Sequence, residues 1–129
     1  MGVINIAAAM IANGEGRILL VRKKGTSVFM QAGGKIDAGE TPAEALRREL
    51  QEELGLDLDE ADLHFVGNFS APAANENGFT VKAAIFTLVL AGPVSPGAEI
   101  EEIVWIDPNK PPRRSLAPLT RLLLKRLVG

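Results

Sequence analysis

One segment, residues 34–56 (GKIDAGETPAEALRRELQEELGL), constrains the fold of this 129-residue chain more than any other. Its Thr-Pro-Ala-Glu tetrapeptide at residues 41–44 combines a capping threonine, a proline suited to the first helical position and the glutamate of a capping box. We therefore predict a helix that runs to about Leu54 and ends at Gly55, which suits the left-handed conformation. The two glycines at residues 33–34 predict a loop before the helix.

The end of this helix is crowded with acidic side chains. At 100° per residue, Leu46 and Leu50 belong to an apolar stripe that must face a sheet. Glu49, Glu52 and Glu53 lie in the adjacent sector, so we expect all three to be partly buried. Like charges at this spacing destabilise a helix, and carboxylates near its C-terminus oppose the helix dipole. A hard divalent cation with oxygen ligands would offset both effects, and a solvated acidic face is the alternative.

Outside this segment, the residue pattern predicts six strands and a second helix. The strands are expected at residues 3–11, 17–22, 28–31, 63–70, 79–90 and 103–106, and the helix at residues 117–128. The first two strands are expected to form a hairpin, because Gly14 and Gly16 lie between them. The apolar stripe of the second helix is expected to consist of Leu119, Leu122, Leu123 and Leu127. This order of elements indicates one α/β domain with a mixed sheet and helices packed on it.

The composition argues against several classes of partner. A net charge of −2 leaves no basic excess for a nucleic-acid backbone, so we expect no nucleic-acid polymer as a partner. The apolar run at residues 3–12 is shorter than the roughly 20 residues that span a bilayer, and no membrane association is expected. The chain has no cysteine, which excludes disulfides and is compatible with the cytoplasm, the expected location.

The fixed residues of the central segment have the spacing of a known sequence motif. The pattern is a glycine, five residues, a glutamate, seven residues, Arg-Glu, an apolar residue, any residue, Glu-Glu, any residue, a glycine and an apolar residue. These positions are filled by Gly34, Glu40, Arg48, Glu49, Leu50, Glu52, Glu53, Gly55 and Leu56. The segment resembles the Nudix box of the Nudix hydrolase family, which includes MutT-type nucleoside triphosphate pyrophosphohydrolases. The resemblance implies a single Nudix domain over residues 1–129, with an α/β/α sandwich around a mixed sheet.

The resemblance also implies a metal site. Glu49, Glu52 and Glu53 would bind Mg²⁺ or Mn²⁺ together with the carbonyl oxygen of Gly34, and one glutamate would act on the attacking water. Family members often carry a further acidic ligand from a loop after the long strand. Glu99 is the favoured residue for that role, and an exposed, charged entry to the last strand is the alternative reading.

Two further residues of the box have implied supporting roles. Arg48 would orient the glutamates and Glu40 would pair with Arg48, while a plain surface ion pair is the alternative for both. Gly55 would have a structural role at the end of the helix. Lys35 could contact a phosphate or could be solvated.

The substrate-binding residues are expected outside the box. Phenylalanine and asparagine suit stacking on a base and recognition of its edge, and a core or loop role is the alternative, and more common, reading for each candidate. The candidates are Arg22, Lys35, Phe69, Asn75, Asn77 and Phe79. The chain has Met30-Gln31-Ala32 where many family members have an aromatic residue and a proline, and this difference bears on the substrate.

The implied activity is metal-dependent hydrolysis of a phosphoanhydride in a nucleoside diphosphate linked to another group. Such a compound would be a nucleoside triphosphate, a nucleotide sugar or another diphosphate. A module that binds a nucleotide without cleaving it is the alternative on the same fold. Isopentenyl diphosphate isomerisation also occurs on this fold, but its familiar form needs a cysteine that this chain lacks. Either a monomer or a homodimer is expected.

Overall fold

A computed structural model describes residues 2–110 and 113–127 of the chain. The strands are β1 (Gly2–Ala12), β2 (Ile18–Lys23), β3 (Phe29–Met30), β4 (Ala32–Lys35), β5 (His64–Pro72), β6 (Phe79–Val89) and β7 (Ile100–Ile106). The helices are α1 (Pro42–Leu54) and α2 (Pro118–Leu127), and a short 3₁₀ turn covers Glu60–Asp62. No helix among the described residues is long and apolar enough to cross a membrane.

The centre of the sheet is β1. It pairs in parallel with β6 along its whole length, from Gly2 opposite Phe79 to Ala12 opposite Val89. The main strand order is β3-β2-β1-β6-β5, with β4 also paired to β1 and β7 also paired to β2. Because the other strand pairs are antiparallel, the sheet is mixed, and the predicted α/β class is confirmed.

The predicted hairpin of the first two strands is wrong over most of its length. The turn forms as expected, with Asn13 accepting hydrogen bonds from the backbone N–H groups of Glu15 and Arg17. However, only Ala12 and Ile18 face each other between β1 and β2. The free edge of β1 is taken by β4, and β2 pairs instead with β7. A long-range pairing therefore replaces the local one.

Each face of the sheet carries one helix, because successive side chains of a strand point to opposite sides. Ala7, Ala9 and Ile11 of β1 join Leu46 and Leu50 of α1 in one core. The intervening β1 residues belong to a second core under α2, together with Leu119 and Leu123. The α/β/α arrangement implied by the sequence resemblance is present.

The local signals for α1 are confirmed. Thr41 accepts a hydrogen bond from the backbone N–H of Glu44, and the Glu44 carboxylate accepts one from the Thr41 N–H. Pro42 is the first helical residue. Gly55 ends the helix in the left-handed conformation with φ of 67°, and its N–H donates to the carbonyl of Gln51.

The glycine pair before α1 does not lie in a loop as predicted. Gly33 and Gly34 belong to β4, opposite Ala8 and Ala7 of β1. Gly33 has φ of 148°, and a side chain there would run into the backbone of Ala8. These glycines therefore bring two strands into close contact, and the loop begins only after Lys35.

The C-terminal elements also differ from the prediction. β7 begins at Ile100, three residues earlier than expected, because β2 pairs with it that far. The buried residues of α2 are Leu119, Thr120 and Leu123, whereas Leu127 is exposed. The predicted leucine stripe is therefore wrong at its end. The last residue predicted for this helix, at position 128, lies outside the described residues.

Candidate active site

Arg48 of α1 forms ion pairs with four acidic side chains. Its guanidinium binds both oxygens of Glu40, with Nε 2.8 Å from Oε2 and Nη2 2.9 Å from Oε1. Nη1 donates to Glu49 at 3.2 Å, and Nη2 donates to the carbonyl of Lys35 at 3.0 Å. The hydrogen bond from Arg48, followed by that from the Asp37 N–H, lowers the pKa of Glu40 to about 2. Arg48 therefore joins the loop before α1 to the acidic end of the helix.

The three box glutamates differ in environment. The side chain of Glu53 is only 5% exposed and that of Glu49 only 14%, as expected for residues beside the apolar stripe. The side chain of Glu52, by contrast, is 60% exposed. The expectation that all three are partly buried is therefore wrong for Glu52, which lies at the solvent edge 3.8 Å from Arg48.

Glu53 is a buried carboxylate held by few partners. The backbone N–H of Gly33 donates to its Oε1 at 3.0 Å, and the Lys23 ammonium lies 3.7 Å from its Oε2. Burial raises the pKa of Glu53 to about 7, and the charges of Glu49 and Glu99 act in the same direction. The Gly33 hydrogen bond and the Lys23 charge oppose this shift without cancelling it.

Glu49 lies against the backbone of β4. A side chain at Gly34 would collide with the Glu49 carboxylate and displace it, so glycine is needed for this position of Glu49. Burial raises the pKa of Glu49, and the neighbouring charge of Glu52 adds to this effect. Arg48 and Lys23 act against it. The buried Glu53 and the partly buried Glu49, both with raised pKa values, thus lie on α1 beside β4.

The loop before β7 packs onto the end of α1. The Gly97 N–H donates to the backbone carbonyl of Glu53 at 2.8 Å, and a side chain at Gly97 would collide with the carbonyl of Glu52. Glu99 follows in the turn before β7, and its carbonyl accepts a hydrogen bond from the Lys24 N–H. Its charge reaches Glu53. Glu99 therefore lies near enough to Glu53 for its charge to raise the pKa of Glu53.

The acidic side chains do not form a ready-made cation site. Within residues 2–110 and 113–127, no three Asp, Glu or His side chains are grouped closely enough to hold a metal ion. Arg48 and Lys23 engage Glu49 and Glu53, while Glu52 extends into solvent. The donor chemistry nevertheless fits a hard cation, because carboxylate oxygens are its preferred ligands and a cation would offset the buried charge.

A cleft of about 170 Å³ opens beside this site on the α2 face of the sheet. Gly33, Gly34 and Lys35 form its boundary with the acidic site, and Ile4, Ile6, Ala8 and Val81 form apolar walls. Pro72 at the end of β5 and residues 73–76 of the β5–β6 connection also line the cleft. A concave apolar site next to charged groups is the usual form of a small-molecule site.

Only some of the predicted substrate-binding residues line this cleft. Lys35 and Asn75 do, and Lys35 is 4.0 Å from the Glu76 carboxylate. Arg22 instead forms an ion pair with Glu102 at 3.2 Å.

The two aromatic candidates and Asn77 are also located elsewhere. Phe69 packs against the α2 core, and Phe79 lies beside Gly2 at the start of β1. Asn77 is exposed in the β5–β6 connection. Sequence reasoning did not single out Lys23 or Gly97 as functional candidates, and it noted Gln31 only as part of Met30-Gln31-Ala32. For Lys23 and Gly97 no local signal could have done so, because their partners are distant in the chain.

Comparisons with known proteins agree with this geometry. The NUDIX domain family matches residues 3–127. An 8-oxo-dGTP diphosphatase of Haemophilus influenzae is 33% identical, and the match covers 98% of this chain and 93% of that protein. An ADP-ribose pyrophosphatase of Methanocaldococcus jannaschii is 29% identical over 84% of this chain and 64% of its own length. The crystal structure of a MutT NUDIX hydrolase from Burkholderia pseudomallei has a TM-score of 0.82 at 25% identity, covering 97% of this chain and 98% of that one.

The chain therefore belongs to the Nudix hydrolase family. This confirms the resemblance seen in residues 34–56, the Nudix α/β/α fold and the enzyme class. The protein is a MutT-like pyrophosphohydrolase that cleaves a phosphoanhydride bond in a nucleoside diphosphate linked to another group. Hydrolases of this family are typically dependent on a divalent metal ion.

Proposed function

We propose that the protein is a magnesium-dependent hydrolase of purine nucleoside triphosphates, with 8-oxo-dGTP as the first substrate to test. The observation that carries this proposal is the position of the buried Glu53 and the partly buried Glu49 next to Gly33 and Gly34, which line the cleft. The apolar cleft suits a flat base. The 8-oxo-dGTP diphosphatase that matches the chain over nearly all of both lengths supports a nucleoside triphosphate as substrate.

The metal ion is proposed to be held by Glu49, Glu52 and Glu53, with the carbonyl of Gly34 and the loop residue Glu99 as further ligands. Mg²⁺ fits these oxygen donors, and Mn²⁺ is the second candidate. When bound, such an ion neutralises phosphate charge and lowers the pKa of water near the reacting phosphorus. The exposed position of Glu52 leaves its carboxylate free to turn toward the metal ion.

The protein residues then position and deprotonate the water. The water oxygen bonds to phosphorus while the bond from that phosphorus to the bridging oxygen breaks. The electron pair leaves with the bridging oxygen, and Glu49 accepts the proton of the water. Arg48 keeps Glu49 in place through its 3.2 Å contact and through its bidentate link to Glu40. Lys35, which lines the cleft, would contact a phosphate of the substrate.

A substrate panel tests this assignment. Purified protein with Mg²⁺ is incubated with 8-oxo-dGTP, dGTP and ADP-ribose, the last because a relative is an ADP-ribose pyrophosphatase. We expect the nucleoside triphosphates to be hydrolysed with release of pyrophosphate, and Glu49→Gln to lower kcat by at least about a hundredfold. Hydrolysis of ADP-ribose alone would refute the substrate assignment. Tight binding with no turnover of any compound would favour the non-catalytic module.

Two further expectations stay predictions. The protein is expected in the cytoplasm, which labelling of the expressed chain followed by cell fractionation would test. It is expected to be a monomer or a homodimer, and light scattering of the purified protein measures its mass directly.

A further inference from the structure

The residues that line the cleft include one glutamine that is almost completely buried. Gln31 lies between β3 and β4, lines the cleft and is only 5% exposed. The hydroxyl of Thr120, in the first turn of α2, donates to its Oε1 at 3.0 Å and is itself fully buried. This contact joins the strand that precedes the box to the helix on the same face of the sheet.

A methionine sulfur determines which way the amide faces. The Gln31 Nε2 lies 3.6 Å from the Sδ of Met10. A thioether sulfur only accepts hydrogen bonds, so it favours the amide nitrogen over the amide oxygen on this side. The Thr120 hydroxyl, which can donate, accordingly takes the oxygen.

This arrangement leaves the Gln31 amide nitrogen with spare donor capacity. The nitrogen carries two N–H groups, and the Met10 sulfur is the only acceptor it contacts among residues 2–110 and 113–127. Sulfur is a weak acceptor, and a buried amide donor without an oxygen or nitrogen partner is unfavourable. A ligand that brings a carbonyl oxygen into the cleft would satisfy it.

The rest of the cleft indicates which part of a nucleotide lies there. The residues that line the cleft together with Gln31 are mostly apolar, as a base ring requires, and include Ile6, Ala8 and Leu119. Two lysines also line it: Lys35, whose side chain is 69% exposed, and Lys23, whose ammonium lies 3.7 Å from Glu53. Phosphates would therefore lie at the acidic site and its cations, and the base would lie against Gln31.

We infer that Gln31 is a specificity-determining residue that donates a hydrogen bond from its side-chain amide to a ring carbonyl of the base. Thr120 is the positioning residue that holds the amide in this orientation. The inference rests on the proposed function, because it places the base in this cleft. Gln31 would select 6-oxopurines over 6-aminopurines, because the amino group of a 6-aminopurine is itself a donor and cannot accept a hydrogen bond from the amide.

The discriminating experiment compares dITP with dATP, two purine nucleotides that differ in the 6-oxo and 6-amino groups. The wild-type protein should favour dITP in kcat/KM by roughly tenfold to hundredfold. Gln31→Met keeps the length and apolar contacts of the side chain but removes the donor, and should abolish most of this preference through KM, with kcat little changed. Gln31→Glu, which presents acceptors, should reduce it further or reverse it.

Thr120 provides the matched pair of control variants. Thr120→Val removes the hydroxyl while keeping the shape, and should reduce the preference for dITP severalfold. Thr120→Ser keeps the hydroxyl and should restore it. If Gln31 and Thr120 only stabilised the core, both substitutions would lower the melting temperature and leave the dITP to dATP ratio unchanged, and that result would overturn the inference.

A binding measurement separates this inference from the proposed function. Calorimetric titration with dIMP and dAMP needs no turnover, so it measures the affinity of the cleft for each base directly. Preference for dIMP that disappears in Gln31→Met would support the role of Gln31 even if no triphosphate were hydrolysed. Hydrolysis with an unchanged preference in Gln31→Met would refute the role of Gln31 while leaving the proposed activity in place.

Discussion

The buried carboxylate of Glu53 should make the stability of the metal-free protein fall as the pH rises. Burial raises its pKa from the ordinary 4.5 to about 7, so the folded protein binds this proton more tightly than the unfolded chain does. Stability from this group is therefore fully present below pH 4.5 and is lost between pH 4.5 and 7. At about 1.36 kcal/mol per pH unit, the loss is about 3 kcal/mol, and the side chain is too buried for solvent to screen it.

Urea denaturation in the presence of a chelator, at intervals from pH 4 to pH 8, measures this effect. The decline in the free energy of unfolding should be reduced by about 3 kcal/mol in Glu53→Gln, because the amide cannot ionise. Part of the decline should remain, since burial raises the pKa of Glu49 as well. Gln51→Ala, an exposed and uncharged position on the same helix, is the control and should keep the wild-type slope. Equal slopes in Glu53→Gln and the wild-type protein would refute the assignment of this charge.

Three further substitutions test the acidic site and the helix α1 that carries it. In Arg48→Lys, the lysine cannot form the bidentate contact with Glu40. We expect kcat, or the Mn²⁺ affinity measured by calorimetry, to fall by about tenfold to hundredfold. Gly34→Ala brings a methyl group against the Glu49 carboxylate and should lower kcat while circular dichroism stays close to wild type; unchanged activity would contradict the contact. Thr41→Ala removes the helix cap and should lower the free energy of unfolding by about 1 kcal/mol in urea, with no loss of kcat.

The parts of this protein that could be predicted from sequence are those determined by near neighbours. The α1 helix was predictable because its capping box spans four residues and its C-cap is a single glycine. The partial burial of Glu49 and the burial of Glu53 followed from their place beside the apolar stripe. Arg48 and Glu40 lie only eight residues apart, so the box pattern contained their pairing.

The parts that could not be predicted depend on contacts between distant segments. Nothing near β1 in the chain indicates that β4 and β6 take its two edges. Glu52 and Glu53 belong to the same helical sector, yet Glu53 is buried and Glu52 is exposed. Glu53 contacts Gly33 of β4, and a helical projection contains no information about that strand. Thr120 was missed for a similar reason, because its partner Gln31 is 89 residues away in the chain.

The balance of charge around Glu53 links the protonation of this carboxylate to the binding of a metal ion. Arg48 forms ion pairs with Glu40 and Glu49. Among the ion pairs of residues 2–110 and 113–127, Glu53 has only one cationic partner, the Lys23 ammonium at 3.7 Å. Protonation compensates the remaining cost below about pH 7. A divalent cation competes with that proton and with the Lys23 ammonium for the same oxygens. Metal binding should therefore release a proton, and its affinity should rise with pH up to about 7 in the wild-type protein but much less in Glu53→Gln.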